Sequence, residues 1–173
     1  VWGHHMFVSG QSELANFLFS LLTMLVAIPT AIKVVNWTVT MYKGSVWLQT
    51  PMLYALAFLF LFTIGGLTGL FLAALSVDVH LHDTYFVVGH FHFTLAASVL
   101  FGIFAFVALW FPKIFGRMLN ETLGKIHFWI SFLSANILFA LMMIVGLYGH
   151  ERRIADATQY TFLKPIQPLN EAM

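Results

Sequence analysis

The stretch Thr84–Pro112, with the sequence TYFVVGHFHFTLAASVLFGIFAFVALWFP, contains no Asp, Glu, Lys or Arg. A helix needs about 20 consecutive apolar residues to cross the hydrocarbon core of a bilayer, and this stretch exceeds that length. It also contains two histidines, His90 and His92. Ionisable side chains are costly inside a membrane and usually serve a function there. The stretch therefore indicates both a spanning helix and a functional site.

Three further segments are equally apolar. Leu14–Ile32, Gly44–Val77 and Ile126–Gly149 carry no formal charge, and the apolar pattern of the first continues past Lys33 towards Tyr42. The sequence therefore predicts an all-α integral membrane fold with four spanning helices in one transmembrane domain. The predicted helices cover about residues 14–42, 51–76, 84–112 and 123–149, and a polar tail covers 150–173.

Composition supports the membrane interpretation. Hydrophobic residues make up 60% of the 173 residues and charged residues only 9%, whereas soluble domains carry roughly 25% charged residues. The net charge of +1 gives no electrostatic case for nucleic-acid binding. Cysteine is absent, which excludes a disulfide framework and thiolate-bound metal in this chain. The second predicted helix contains Gly65, Gly66 and Gly69, which predict close helix packing.

The distribution of cations predicts the orientation. Val1–Glu13 and Ser76–Asp83, at one end of the predicted bundle, contain no Lys or Arg. The loops at the other end carry Lys43, Lys113, Arg117 and Lys125. The positive-inside rule places the cationic loops in the cytoplasm or its mitochondrial equivalent. Arg152 and Arg153 then fall on the outer side, where they require a local partner such as a bound anion.

The third predicted helix presents its two histidines on different faces. Residues two apart in a helix are about 200° apart around its axis. His90 and His92 could therefore bind two different cofactors, with Phe91 between them. The alternative is a pair of core histidines that form hydrogen bonds with neighbouring helices.

Two more polar pairs lie near the outer ends of the predicted helices. His4 and His5 could converge on one copper, zinc or iron ion, or could form an interfacial polar cap. His82 and Asp83 could bind a hard divalent cation such as magnesium. Alternatively, Asp83 could cap the helix that begins at Thr84, and both roles are compatible.

Two cationic positions also have more than one interpretation. Lys33 lies inside an apolar run, where its ammonium group either reaches the interface or serves in a proton relay. Thr30 precedes it by three residues and shares its helix face. Arg152 and Arg153 form a solvated or headgroup-binding pair, or they bind the carboxylates of a buried cofactor.

Several strings together resemble subunit I of haem–copper cytochrome c oxidase, of the bacterial A type. They are WGHHMF at Trp2–Phe7, AIPTAIKV at Ala27–Val34, FLFTIGGLTG at Phe60–Gly69, LHDTYFVVGHFHF at Leu81–Phe93, KIHF at Lys125–Phe128 and ERR at Glu151–Arg153. The resemblance covers essentially the whole chain. It implies that these four helices are part of a twelve-helix bundle and that the rest of subunit I lies outside this chain.

The resemblance also implies roles for individual histidines. His4 and His5 would be two of the three ligands of the active-site copper. His90 would be the axial ligand of the oxygen-binding high-spin haem, and His92 would be one of two axial ligands of the low-spin haem. Phe91 would lie between the two haems, which the resemblance to cytochrome c oxidase implies to be of the a type.

Further residues match the surroundings of these cofactors in the family. His82 and Asp83 match the magnesium site. Asp78, Arg152 and Arg153 match the region that binds the haem propionates. The family often reads G-M-P-R-R before this arginine pair, whereas this chain reads Gly149-His-Glu-Arg-Arg.

The resemblance implies a terminal respiratory oxidase that reduces O₂ to water and couples this reaction to proton translocation. Thr30 and Lys33 match the pathway that carries protons to the oxygen site. The implied partners are subunit II with a dicopper centre, subunit III, cytochrome c as electron donor and the lipid bilayer. The implied location is a bacterial plasma membrane rather than a mitochondrial inner membrane.

Other functions remain open at this point. A quinol oxidase or a nitric oxide reductase of the same superfamily would share the histidines. The pair His82–Asp83 favours the cytochrome c type, and Lys33 disfavours the reductase. A metal-free proton-coupled transporter, or a structural fragment with vestigial sites, would belong to a different class.

Overall fold

The computed structural model describes residues 2–173 and confirms an all-helical fold with four long apolar helices. The first, α1, covers Glu13–Met41 and the second, α2, covers Thr50–Ala73. The third spanning helix covers Tyr85–Phe115 and the fourth, α6, covers Glu121–Leu147. Each is long and apolar enough to cross a membrane. No strand occurs within residues 2–173.

The third spanning helix has three parts. It begins as α4, Tyr85–Phe91, continues as a π-helical segment, His92–Ala97, and ends as α5, Ser98–Phe115. Within and just after the π segment, the hydroxyls of Thr94 and Ser98 donate to carbonyls of the preceding turn. Such bonds compete with the regular helical pattern, and π turns are often found at functional sites.

The helix ends differ from the predictions in two places. The second helix stops at Ala73 rather than near residue 76, and the separate short helix α3, Leu75–Leu81, follows it. The third spanning helix passes through Pro112 and ends where Gly116 adopts a φ of 65°. A left-handed glycine is a common helix terminator, so Gly116 and not the proline ends this helix.

The remaining elements are short and lie at one end of the bundle. A 3₁₀ helix, Trp2–Met6, precedes α1. Two more 3₁₀ helices and α7, Gln167–Glu171, form the predicted polar tail. The tail is not wholly polar in its contacts, because Leu163 and Ile166 are buried against Val145 of α6.

The two ends of the bundle can be named by their residues. The histidine end comprises residues 2–12, 74–84 and 148–173, and the lysine end comprises residues 42–49 and 116–120 together with the adjoining helix turns. At the histidine end, Thr84 and Glu151 form an isolated antiparallel bridge. The amide of Tyr85 donates to the carbonyl of His150 at 2.9 Å. These backbone contacts join the start of the third spanning helix to the end of α6.

The core lies between α2, the third spanning helix and α6, and is largely aromatic. Tyr54, Leu61 and Phe101 are 2%, 0% and 2% exposed. Gly65 confirms the prediction of close packing, because a Cβ atom there would lie 2.9 Å from the Thr94 amide nitrogen. Gly66 does not confirm it, since a Cβ atom at Gly66 would meet open space. In contrast, α1 contains no buried residue.

Candidate functional site

A large cavity at the histidine end collects most of the predicted site residues. Its volume is about 740 Å³, and it lies between α1, α2, α3 and α4. The predicted residues that line it are His4, His5, Thr30, Asp78, His82, Asp83, His90, Phe91, Arg152 and Arg153. They come from distant parts of the sequence, so the fold and not chain proximity brings them together. His92 and Lys33 do not line the cavity.

His90 extends from α4 towards α2. Its Nδ1 atom lies 2.9 Å from the carbonyl oxygen of Gly65 and 3.2 Å from the Thr68 hydroxyl. A ring whose Nδ1–H donates to a carbonyl keeps the Nε2 lone pair available for a metal. Gly69 makes room for the ring, because a Cβ atom there would lie 2.9 Å from Cε1 of His90.

His92 lies on a different side of the same helix, as the 200° separation predicts. Its Nδ1 atom lies 2.8 Å from the carbonyl oxygen of Val88, within its own helix. Its ring centroid is 4.9 Å from that of Phe139 on α6 and 4.6 Å from that of Phe91. His90 therefore faces α2 and the cavity, whereas His92 faces α6. Both rings have Nδ1 held by a carbonyl and Nε2 directed elsewhere.

His4 and His5 meet at the rim of the cavity. Their Nε2 atoms are 3.0 Å apart, and Nδ1 of His4 lies 3.3 Å from the Thr23 hydroxyl of α1. A metal about 2.0 Å from each nitrogen would subtend an angle of about 97° between them, which fits one ion. Burial, followed by the neighbouring His5, lowers the pKa of His4 from 6.5 to about 4. The ring is therefore neutral, as a metal ligand must be.

The short helix α3 carries a buried carboxylate that pairs with an imidazole. Oδ2 of Asp78 lies 3.0 Å from Nδ1 of His82, and Asp78 is 4% exposed. Burial raises the pKa of Asp78, and the hydrogen bond from His82 opposes that rise. The pair leaves Nε2 of His82 available for a cation.

Asp83 does not cap the third spanning helix, which corrects one predicted role. The cap is Thr84, whose hydroxyl accepts from the amide of Phe86 at 3.3 Å. Asp83 itself has a left-handed backbone with a φ of 55°. It contacts Nε of Arg152 at 3.0 Å and an Nη atom of Arg153 at 3.7 Å. Asp83 is thus a partner of the arginine pair within this chain.

The two predicted proton-pathway residues occupy different surroundings. Thr30 lines the cavity, and its hydroxyl donates to the Val26 carbonyl at 2.9 Å. Lys33 is exposed on α1, about two turns before Met41. Within residues 2–173, no carboxylate forms an ion pair with it.

The structure adds polar contacts that sequence reasoning missed. The Tyr54 hydroxyl lies 2.5 Å from Nδ1 of His127, which joins α2 to α6 in the aromatic core. Ser20 of α1 bonds the backbone at the junction of α2 and α3. The hydroxyls of Tyr54 and Ser20 within apolar runs could have suggested contacts between helices. Such a hydroxyl can equally bond to its own helix, as that of Thr63 does, so the sequence does not distinguish the two cases.

The chain supplies pairs of metal ligands rather than complete sets. Among residues 2–173, no group of three or more His, Asp or Glu side chains is placed to hold one ion. The pair His4–His5 and the pair His82–Asp83 would each need further ligands from outside this chain or from water.

Comparisons with known proteins identify the family of the chain. The family model described as "Cytochrome C and Quinol oxidase polypeptide I" matches residues 1–173. The chain is 47% identical to cytochrome c oxidase subunit 1 of Bacillus sp. (strain PS3), over 89% of this chain and 25% of that protein. It is 47% identical to the alternative cytochrome c oxidase subunit 1 of Bradyrhizobium diazoefficiens, over 95% and 28%.

A fungal relative matches at a similar level. The chain is 50% identical to cytochrome c oxidase subunit 1 of Eremothecium gossypii, over 90% of this chain and 29% of that protein. The chain thus spans between a quarter and three tenths of the length of these relatives. The four apolar helices and the bacterial relatives support a multi-pass plasma-membrane protein.

Proposed function

The chain belongs to the cytochrome c and quinol oxidase polypeptide I family, and on that premise we propose that it is part of the catalytic subunit of a terminal respiratory oxidase. The proposed reaction is the reduction of O₂ by four electrons and four protons to two molecules of water. The observation that carries this proposal is the cavity of about 740 Å³ that is lined by His4, His5 and His90 together.

The residues fit the cofactors that the family implies. His4 and His5 would hold copper, because their Nε2 atoms are 3.0 Å apart and His4 is neutral. His90 would hold the iron of a high-spin haem on the cavity side, and His92 that of a low-spin haem on the α6 side. When bound, these groups carry the electrons and provide the binding position for O₂. We propose haems of the a type.

The chain's own contribution at His90 is orientation. The Gly65 carbonyl accepts the Nδ1 proton and fixes the ring, and it makes Nε2 a better electron donor to iron. Gly66 and Gly69 line the α2 side of the cavity together with Leu70, Leu72 and Ala73. Of the two glycines, Gly69 is the one in contact with the His90 ring, because a Cβ atom there would lie 2.9 Å from Cε1 of His90.

The charged residues at the rim of the cavity would bind the haem propionates and a magnesium ion. Arg152 and Arg153 would bind haem propionates bidentately, and Asp83 holds them at the rim. Asp78 would lie in the same region and orient His82. His82 and Asp83 would contribute to a magnesium ion, whose remaining positions water and another subunit would fill.

The proposed reaction consumes protons as well as electrons, so protons must also reach the cavity. Each negative charge that enters a low-dielectric site favours the uptake of a compensating proton. We assign Lys33 and Thr30 to this uptake, because Lys33 lies on the lysine-end side of α1 and Thr30 lies where the same helix face reaches the cavity. Coupling of this uptake to proton translocation is part of the proposal.

The proposed partners are those that membership of this family implies. The rest of subunit I would supply the third copper ligand and the second ligand of the low-spin haem. Cytochrome c would donate electrons through a dicopper centre in subunit II, because this chain has no cysteine to hold one. Subunit III and the lipid bilayer complete the proposed assembly.

A quinol oxidase is the second candidate, because the matching family model covers quinol oxidases as well. The His82–Asp83 pair favours cytochrome c as donor. Oxidation of reduced cytochrome c and of quinol by the purified complex would separate the two.

The central test is a reduced-minus-oxidised optical spectrum of the purified complex with a pyridine haemochrome assay and a copper determination. We expect two haems and one active-site copper. Absence of haem would refute an oxidase and leave a proton-coupled transporter or a structural role. Haem without copper would indicate nitric oxide reductase instead.

A further inference from the structure

The junction between α2 and α3 is a break in an otherwise continuous apolar stretch. Helix α2 ends at Ala73, Ala74 adopts an extended conformation with a ψ of 112°, and α3 begins at Leu75. No side chain of the junction itself caps α3. The first amides and last carbonyls of a helix have no partner within it. The junction therefore requires hydrogen-bond partners from elsewhere.

Ser20 of α1 provides both kinds of partner with one hydroxyl group. Its Oγ atom donates to the carbonyl oxygen of Ala73 at 2.7 Å and accepts from the amide of Leu75 at 3.3 Å. One side chain thus satisfies the end of α2 and the start of α3. Within residues 2–173, this is the hydrogen-bonded link between α3 and α1.

Helix α3 is the element that carries the acidic side of the candidate site. Asp78 lies one turn after Leu75, and His82 follows α3 directly. Asp78 and His82 are four residues apart and 3.0 Å from each other, so the direction of α3 determines where this pair lies in the cavity. Because α3 is only seven residues long, few backbone hydrogen bonds stabilise it. The hydrogen bond at Leu75 is therefore a large share of what holds this helix in place.

We propose that Ser20 is a positioning residue for the Asp78–His82 pair, acting through the start of α3. The part of this inference that concerns a bound cation rests on the proposed function. Ser20 also lies on the helix that carries Thr23, the partner of His4. Ser20 therefore connects the helix that carries the partner of His4 to the helix that carries Asp78.

The test uses the complete oxidase complex with three variants. Ser20→Ala removes the hydroxyl, and Ser20→Thr retains it. Ser134→Ala is the matched control, because Ser134 is an exposed serine of α6 whose hydroxyl donates to the Ile130 carbonyl of its own helix. Amide hydrogen exchange over residues 75–82 reports on α3 directly. Manganese, grown into the complex in place of magnesium, reports on the cation side by its electron paramagnetic resonance spectrum.

We expect Ser20→Ala to raise hydrogen exchange over residues 75–82 by about fivefold, the loss expected for one or two ordinary hydrogen bonds. We also expect a broadened manganese spectrum and faster loss of the ion to chelator. Ser20→Thr and Ser134→Ala should match the parent complex, and haem content should be equal in all four. Unchanged exchange and an unchanged spectrum in Ser20→Ala would overturn the inference.

A separate control distinguishes this inference from the proposed function. His82→Asn should remove the manganese signal without raising exchange at Leu75. If the signal survives in His82→Asn, the cation assignment fails, and the exchange comparison between Ser20→Ala and Ser20→Thr still decides the role of Ser20.

Discussion

The histidine end and the lysine end of the bundle use charged side chains differently. At the histidine end, ionisable groups pair across elements, as Asp83 does with Arg152, and they surround a large cavity. At the lysine end, Lys125 pairs with Glu121 of its own helix at 3.4 Å, and two other cations lie over nearby aromatic rings. The Nζ atom of Lys43 is 5.6 Å from the ring centroid of Tyr42, and that of Lys113 is 4.6 Å from that of Trp110.

This difference indicates that the histidine end forms the functional site and that the lysine end anchors the helices at the membrane interface. Aromatic and cationic side chains near helix ends are typical of membrane interfaces, where they hold a helix at its depth. Polar groups that converge from distant elements on an enclosed volume are typical of a reaction site. The comparison predicts that changes at the histidine end alter cofactors, whereas changes towards the lysine end alter stability or proton supply.

The largest expected effect comes from His90 and His92, the two proposed axial ligands. We expect His90→Ala to remove the high-spin haem signal and His92→Ala to remove the low-spin signal, with turnover at background in both. The reason is that the two rings face different sides of one helix. Optical difference spectra of each variant, with and without carbon monoxide, would measure this. Loss of both haem signals together in each variant would show that the two sites are not separate.

The second effect concerns proton supply. We expect Lys33→Met to lower turnover by at least about 100-fold, the usual range for a proton-transfer group, and to leave haem content unchanged. Lys113→Met, at the lysine end, is the matched control and should keep near-normal turnover. Oxygen consumption by the purified complexes measures both. Normal turnover in Lys33→Met would remove Lys33 from the proposed pathway.

The third prediction compares two glycines of α2. Gly69→Ala places a Cβ atom 2.9 Å from Cε1 of His90, whereas Gly66→Ala meets open space. We expect Gly69→Ala to shift the high-spin haem spectrum and to lower stability by about 1–3 kcal/mol, the usual range for overpacking. Gly66→Ala should change stability little. Thermal unfolding and haem spectra of both variants measure the difference; equal behaviour would contradict a close fit at His90.

The smallest effect is expected in the aromatic core towards the lysine end. Tyr54→Phe removes the hydrogen bond to His127 and should lower stability by about 1–2 kcal/mol. Haem spectra should remain those of the parent, because neither residue lines the cavity. Tyr42→Phe is the control, since Tyr42 is 71% exposed. A change in the haem spectrum of Tyr54→Phe would contradict the assignment of cofactor effects to the histidine end alone.

The sequence predicted the features that depend on neighbouring residues along the chain. Charge-free runs predicted four spanning helices, and helical periodicity alone separated the faces of His90 and His92. The break at Ala74 was not predictable, because neither glycine nor proline marks it and its hydrogen bonds come from Ser20 on another helix.

Pairings between distant residues were also beyond sequence reasoning. A helix cap was one of the two roles that local sequence suggested for Asp83, yet its partner Arg152 follows two further spanning helices. The contact between Tyr54 and His127 has the same origin. The resemblance to a known family named the site residues, but the contacts among them required the three-dimensional arrangement.

The backbone bridge between Thr84 and Glu151 has a consequence for the order of assembly. It joins residues that precede the third spanning helix to residues that follow the fourth. The contact between Asp83 and Arg152 closes at the same place. Neither can form until α6 has crossed the membrane during synthesis. The arginine pair therefore reaches the cavity only after His90 and His92 are in the bilayer. Under the proposed function, a haem that enters earlier would be bound by these histidines before Arg152 and Arg153 could bind its propionates.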